Sequence, residues 1–182
     1  MMSFRTPQDV RDFWFSDEMK PYWFEKSAEI DNQIIQLFLE TYEAAHGGRL
    51  DHWMESAADA LALMIVLDQF PRNMFRGSGR SFESNDLALT YAGQALDKGF
   101  DQQVAQTQRA FFYLPFMHSE DLDDQNRSIR LYEALGDDNS LRFAHAHRDI
   151  IAEFGRFPHR NTVLDRENTA DETEFLKTHK GF

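Results

Sequence analysis

The residues best able to do chemistry in this chain gather at an internal echo. Asp68-Gln69-Phe70-Pro71-Arg72-Asn73 ends one apolar stretch, and Phe154-Gly155-Arg156-Phe157-Pro158-His159-Arg160-Asn161 ends another. Residues 70–80 hold Arg72, Arg76 and Arg80 and no acid, and residues 154–161 hold Arg156 and Arg160 and no acid. These basic segments sit in a chain whose 31 acidic and 19 basic residues give a net charge of −12. The basic residues are 14 Arg and 5 Lys, with no Lys in either segment. A planar guanidinium suits bidentate binding of a carboxylate or phosphate, whereas Lys suits a solvated surface. Arg72, Arg76, Arg156 and Arg160 are therefore candidates to hold an anionic group, with Asn73 and Asn161 to orient it. His118 and His159 are the candidate acid–base pair, and Glu120, His147 and Arg148 complete the set.

The same residues also fit a plainer role. Arg, His and Asn after a helix satisfy its last carbonyls and favour the negative end of its dipole. The arginines can also pair with carboxylates such as Asp68, Glu120 or Asp149. A metal is not expected: His145 and His147 are spaced i,i+2, on different faces of a helix, and no His-Glu-x-x-His is present. No cofactor motif is legible. His147-Arg148-Asp149 imitates a kinase triplet, but Phe154 stands where its Asn is needed, and Gly77-Ser78-Gly79 lacks the Lys of a phosphate loop.

Composition narrows the classes further. With no Cys, disulfides and thiolate chemistry are excluded. The acidic balance argues against nucleic acid and against an anionic membrane as partner. No apolar leader follows Met1, and the longest apolar run, Ala60 to Leu67, is far short of the roughly 20 residues a bilayer needs. The cytoplasm is the expected compartment.

Helical periodicity must position these residues, because no alternating strand pattern is found. Thr6 and Pro7 start a first short helix, and Tyr22-Trp23-Phe24 forms an aromatic linker. Further helices are expected at about 29–45, 56–70, 86–98, 104–117, 121–135, 140–154 and 170–179. Gly47-Gly48, Gly136 and Gly155 fall where helix C-termini want glycine, and Pro71 is expected to help end the third helix. That helix and the fifth, with Phe111-Phe112-Tyr113-Leu114, read as buried, while the last is polar and expected to fray. Short loops favour antiparallel pairs, the fourth helix with the fifth and the sixth with the seventh. The helix starts at Asp86 and Asp121 are 35 residues apart, near the period of helical repeats, although no repeat consensus is legible. The expectation is one all-α domain over 1–182, of about eight helices in antiparallel pairs, with 1–28 packed on it and 170–182 at its polar end.

Several segments together resemble a known family, the "domain of unknown function 924" proteins. They are Asp12-Phe13-Trp14-Phe15, Trp23-Phe24, Leu67 to Asn73, Phe75-Arg76-Gly77, Phe112 to Pro115, Met117 to Asp121, and His147-Arg148 with Phe154 to Asn161. The resemblance spans nearly the whole chain. It implies a tetratricopeptide-like α-α superhelix of stacked helix pairs and no established activity. Two functions fit: a pocket for a small anionic ligand, or a scaffold whose groove holds a peptide.

A first prediction concerns the core. Phe112→Ala should cost about 3–5 kcal/mol by chemical denaturation, and a loss under about 1 kcal/mol would remove the fifth helix from the core.

Overall fold

The computed structural model describes residues 4–182; residues 1–3, the start of the segment 1–28, lie outside them. The described residues are all-α and hold no strand. The principal helices are α1 (Pro7–Trp14), α2 (Ala28–His46), α3 (Ala57–Met64), α4 (Phe70–Met74), α5 (Asn85–Asp97), α6 (Gln106–Met117), α7 (Leu122–Leu135), α8 (Asp138–Phe154) and α9 (Ala170–Phe175). They gather into two compact units. Unit 1 takes the described residues of Met1–Arg76 together with Arg80–Pro115, and unit 2 takes Gly77–Gly79 and Phe116–Phe182.

Local chemistry sets most boundaries. Thr6 accepts from the Asp9 N–H and Asp9 answers the Thr6 N–H, a capping box ahead of Pro7. Ser27, Ser56, Asp121 and Asp137 cap α2, α3, α7 and α8 through their side chains. Gly155 ends α8 with φ +70°, a conformation that costs a residue with a Cβ. The last helix is anchored at its start. Thr169 and Glu172 form a second capping box, and Glu172 is buried. The helix is shorter than expected, ending at Phe175.

Unit 1 packs around aromatic rings. Trp14 and Phe112 are fully buried, and Trp14 meets Phe70 and Phe111 edge-on at 5.7 and 5.9 Å. Trp23 stacks near Trp14 and donates its indole N–H to the Trp14 carbonyl at 2.8 Å. Trp53 is buried here as well, so all three Trp belong to this unit. Residues Ala60 to Leu67 have no exposed surface, as their all-round apolar pattern requires. Helix α5 packs on α3 and on the turn after it. In unit 2, α7 and α8 are the expected partners.

The third helix departs from expectation in an instructive way. It does not end at Pro71. Residues Ile65–Gln69 widen into a π turn in which the Phe70 N–H donates to the Ile65 carbonyl, and α4 then runs through Pro71 to Met74. Pro71 has no N–H to give the Leu67 carbonyl. The Ser84 hydroxyl supplies that bond at 2.6 Å. The Asp68 carbonyl is met by Arg72 Nη1 at 2.5 Å. Arg72 and Asn73 are therefore helical, not loop, residues.

Ser84 is buried, so its loss would strand a buried carbonyl. Ser84→Ala should lower the unfolding free energy by about 1–3 kcal/mol in urea, whereas a change within about 0.5 kcal/mol would mean the Leu67 carbonyl finds another donor.

Candidate functional site

The first basic segment is consumed inside unit 1. The buried Asp68 carboxylate accepts from Gln69 Nε2 at 2.7 Å and lies 3.4 Å from Arg72 Nη1. Arg72 Nη2 reaches Asn85 Oδ1 at 3.2 Å. Burial lowers the Arg72 pKa, and the Asp68 charge opposes that. Asp31 on α2 clamps the next two residues. It accepts from Asn73 Nδ2 at 2.8 Å and from Arg76 Nε and Nη2 at 2.7 and 2.9 Å. Each of these three residues thus has a defined partner, as the plainer reading allowed.

The second segment lies in unit 2, where a network closes around one carboxylate. Glu120 follows α6, and its Oε1 accepts the Phe157 N–H at 2.8 Å. Arg166 meets it bidentately, Nη1 to Oε2 at 2.7 Å and Nη2 to Oε1 at 3.0 Å. Burial would raise the Glu120 pKa, but the bonds from Arg166 and Phe157 and the charges of Arg160 and Arg166 prevail and lower it. Arg166 also donates to Asn161 Oδ1 at 2.9 Å and to the Phe157 carbonyl at 3.2 Å. Asp165, in the left-handed region at φ 53°, precedes it, and the Arg166 N–H returns to the Asn161 carbonyl at 2.8 Å.

Asn161 is fully buried and donates to Asn168 Oδ1 at 2.8 Å and to Glu172 Oε2 at 3.3 Å. Arg156 forks onto Glu172 at 2.7 and 2.8 Å. That pairing, then the Thr169 backbone, hold the Glu172 carboxyl at about 2. Asn161 and Arg156 are thereby cross-links. Arg148 lies on α8, reaching Asn126 Oδ1 at 3.5 Å and Asp149 Oδ1 at 3.1 Å.

The remaining candidates converge. Arg160 is buried, donates to the His118 carbonyl at 3.0 Å, and lies over the Phe157 ring at 4.4 Å. His147 is 6.3 Å from His118 and 5.6 Å from Phe157, centroid to centroid. His159 is 5.6 Å from Phe157, and its Nδ1 is buried with no hydrogen-bond partner among the described residues. His147 Nδ1 lies 2.7 Å from the Phe143 carbonyl. A carbonyl only accepts, so Nδ1 carries the hydrogen and Nε2 the lone pair.

Burial first, then the His118 charge, lower the His147 pKa to about 3 against the pull of the Phe143 carbonyl, with Arg160 and His159 adding smaller pushes. Burial first, then Arg160 and His179, lower His159 to about 4 against the pull of Glu120. At neutral pH both imidazoles are neutral. No group of three or more His, Asp or Glu that could hold a metal occurs among the described residues. No described helix is long and apolar enough to cross a membrane. Sequence reasoning missed Arg166, which no local period or motif marks, and Glu172, which the capping-box spacing from Thr169 could have flagged.

Fold and cluster together define an all-α protein in which an Arg-His cluster is framed by a buried carboxylate network. Residues 10–180 match the family described as "Bacterial protein of unknown function (DUF924)", and the chain belongs to it. The chain is similar to a solved structure described as "Structure of Protein of Unknown Function ATU0120 from Agrobacterium tumefaciens". The two are 43% identical, with a TM-score of 0.91, over 95% of this chain and 97% of that one. No curated protein matches the chain significantly.

The imidazoles give a pH prediction. The unfolded His147 and His159 take protons near 6.5, the folded ones only near 3 and 4. Their contribution to stability is complete above about pH 6.5 and is lost as pH falls toward the folded values. Denaturation midpoints should therefore drop between pH 6.5 and 4, and His147→Phe should flatten that slope. An equal slope in the variant would assign the loss to other groups.

Proposed function

We propose that unit 2 binds a small anionic ligand, a phosphate or a carboxylate, at the cluster of Arg160, His118, His147 and His159. Arg166 and Glu120 frame the cluster, and Asn161, Arg156 and Glu172 hold that frame. The observation that supports this most is the local charge. Arg156, Arg160 and Arg166 share two carboxylates, Glu120 and Glu172, beside two imidazoles that burial and neighbouring cations keep neutral. An oxyanion here would offset the excess cation and could accept from a ring N–H. It would also favour imidazolium, so binding would take up a proton and tighten as pH falls from 7 to 5. Arg72, Asn73 and Arg76 act as structural residues of unit 1 in this reading, and Arg148 supports α8.

The test is a thermal-shift series with sulfate, phosphate and small dicarboxylates. Sulfate keeps its charge across this pH range, so its pH dependence reports the protein. A ligand at about 100 times its Kd should add about 2.7 kcal/mol. The shift should vanish in Arg160→Gln while the variant still melts cooperatively. No shift with any oxyanion at pH 5.5 or 7 would overturn the reading.

A further inference from the structure

Residues 179–182 turn back over the imidazoles of unit 2. The His179 N–H donates to the Phe175 carbonyl at 3.1 Å, and its ring stacks on Phe175 with centroids 4.8 Å apart. Gly181 then takes φ +106°, and a Cβ built there would stand 3.2 Å from the His159 ring. Only glycine makes this turn without strain or a push on His159. The turn sets Phe182 on His147, ring centroids 3.6 Å apart and planes at 15°. His179, His159 and Phe143 stand edge-on around it at 5.0, 6.3 and 6.5 Å. One stacked and three edge-on neighbours make a seat for a flat ring. Yet Phe182 remains 49% exposed, far more than a core aromatic.

The strap is lightly held. Its polar ties include the His179 N–H to the Phe175 carbonyl, the Gly181 N–H to His179 Nδ1 at 3.2 Å and Lys180 Nζ to the Leu176 carbonyl at 2.6 Å, all to residues within four positions along the chain. Such ties leave local opening easy. The seat beneath is rigid by contrast, because His147 is buried and tied to α8. Arg160 lies near enough to His147 and His159 to bias the protonation of both.

We propose that Phe182 occupies the ring subsite of the anion site. The ligand is a planar aromatic or heteroaromatic anion, its ring on His147 and its oxyanion toward Arg160, and the strap 179–182 competes with it. This rests on the anion reading above and names the ligand class for that site.

The experiment measures calorimetric Kd values for phenyl phosphate, cyclohexyl phosphate and inorganic phosphate. The proteins are the full chain, Phe182→Ala and Gly181→Ala. Opening the seat should tighten phenyl phosphate about tenfold and leave inorganic phosphate within about twofold. Cyclohexyl phosphate, equally bulky but not flat, should gain much less. Gly181→Ala should act in the same direction by lifting the strap off His159, and it guards against a folding defect in either variant alone. Nuclear Overhauser contacts should join the phenyl protons to His147. If inorganic phosphate binds but neither variant favours phenyl phosphate, or no contact to His147 is seen, the ring subsite falls and the anion site stands. If none of the three binds any form, both readings fall.

Discussion

Unit 2 depends on one carboxylate. Glu120 carries a negative charge into a half-buried position, where desolvation works against it, and three N–H donors make that position tenable. Removing one partner of such a cluster leaves the others desolvated and unmatched, which costs more than the bonds contribute net. The arrangement therefore behaves as a unit. Glu120 fixes Phe157 and Arg166, Arg166 fixes Asn161, and Asn161 and Arg156 fix Glu172 at the head of α9. Phe157 and Asn161, in the loop between α8 and α9, take their places from this chain of contacts. The loop has only short 3-10 turns of its own, so side-chain bonds do what a helical ladder does elsewhere.

The Phe-Pro-Arg-Asn and Phe-Pro-His-Arg-Asn segments are alike in sequence and solve different local problems. In the first, proline sits within a continuing helix, and the π turn, the Ser84 hydroxyl and the Arg72 guanidinium absorb the missing donor. In the second, proline opens a 3-10 turn after Gly155 has already stopped α8. What the copies share is the asparagine. Asn73 and Asn161 are both buried and both donate to a carboxylate, Asp31 in one case and Glu172 in the other. Their common function is to knot a helix end to an acid elsewhere in the same unit. That the echo reflects anchoring as much as ligand chemistry is visible only once these distant acids are located.

The elements were legible in the sequence where local rules govern them. The Thr6-Pro7 start, the glycines after α7 and α8, and the all-buried run from Ala60 follow from period, caps and backbone freedom. The π turn was not legible, because Pro71 in isolation reads as a stop. Its rescue needs Ser84, 17 residues from the carbonyl it serves. Site geometry failed for the same reason at larger separation. Glu120 and Arg166 are 46 residues apart, and Asp31 and Arg76 are 45. Nothing in Val163-Leu164-Asp165-Arg166 distinguishes its arginine from a solvated one. His118, His147 and His159 were legible as candidates, but the neutrality of His147 and His159 follows from burial and neighbouring charges, which spacing does not reveal.

The placement of the indoles has a spectroscopic consequence. Trp14, Trp23 and Trp53 all lie in unit 1, while unit 2 contains Tyr132 and phenylalanines but no indole. Emission excited at the red edge of the protein band is therefore a private signal of unit 1. It would follow the melting of the Trp14–Phe111 cluster and stay silent while the loop between α8 and α9 loosened. A mismatch between that emission and a whole-chain probe such as circular dichroism would show the two units losing structure at different points, with no label introduced.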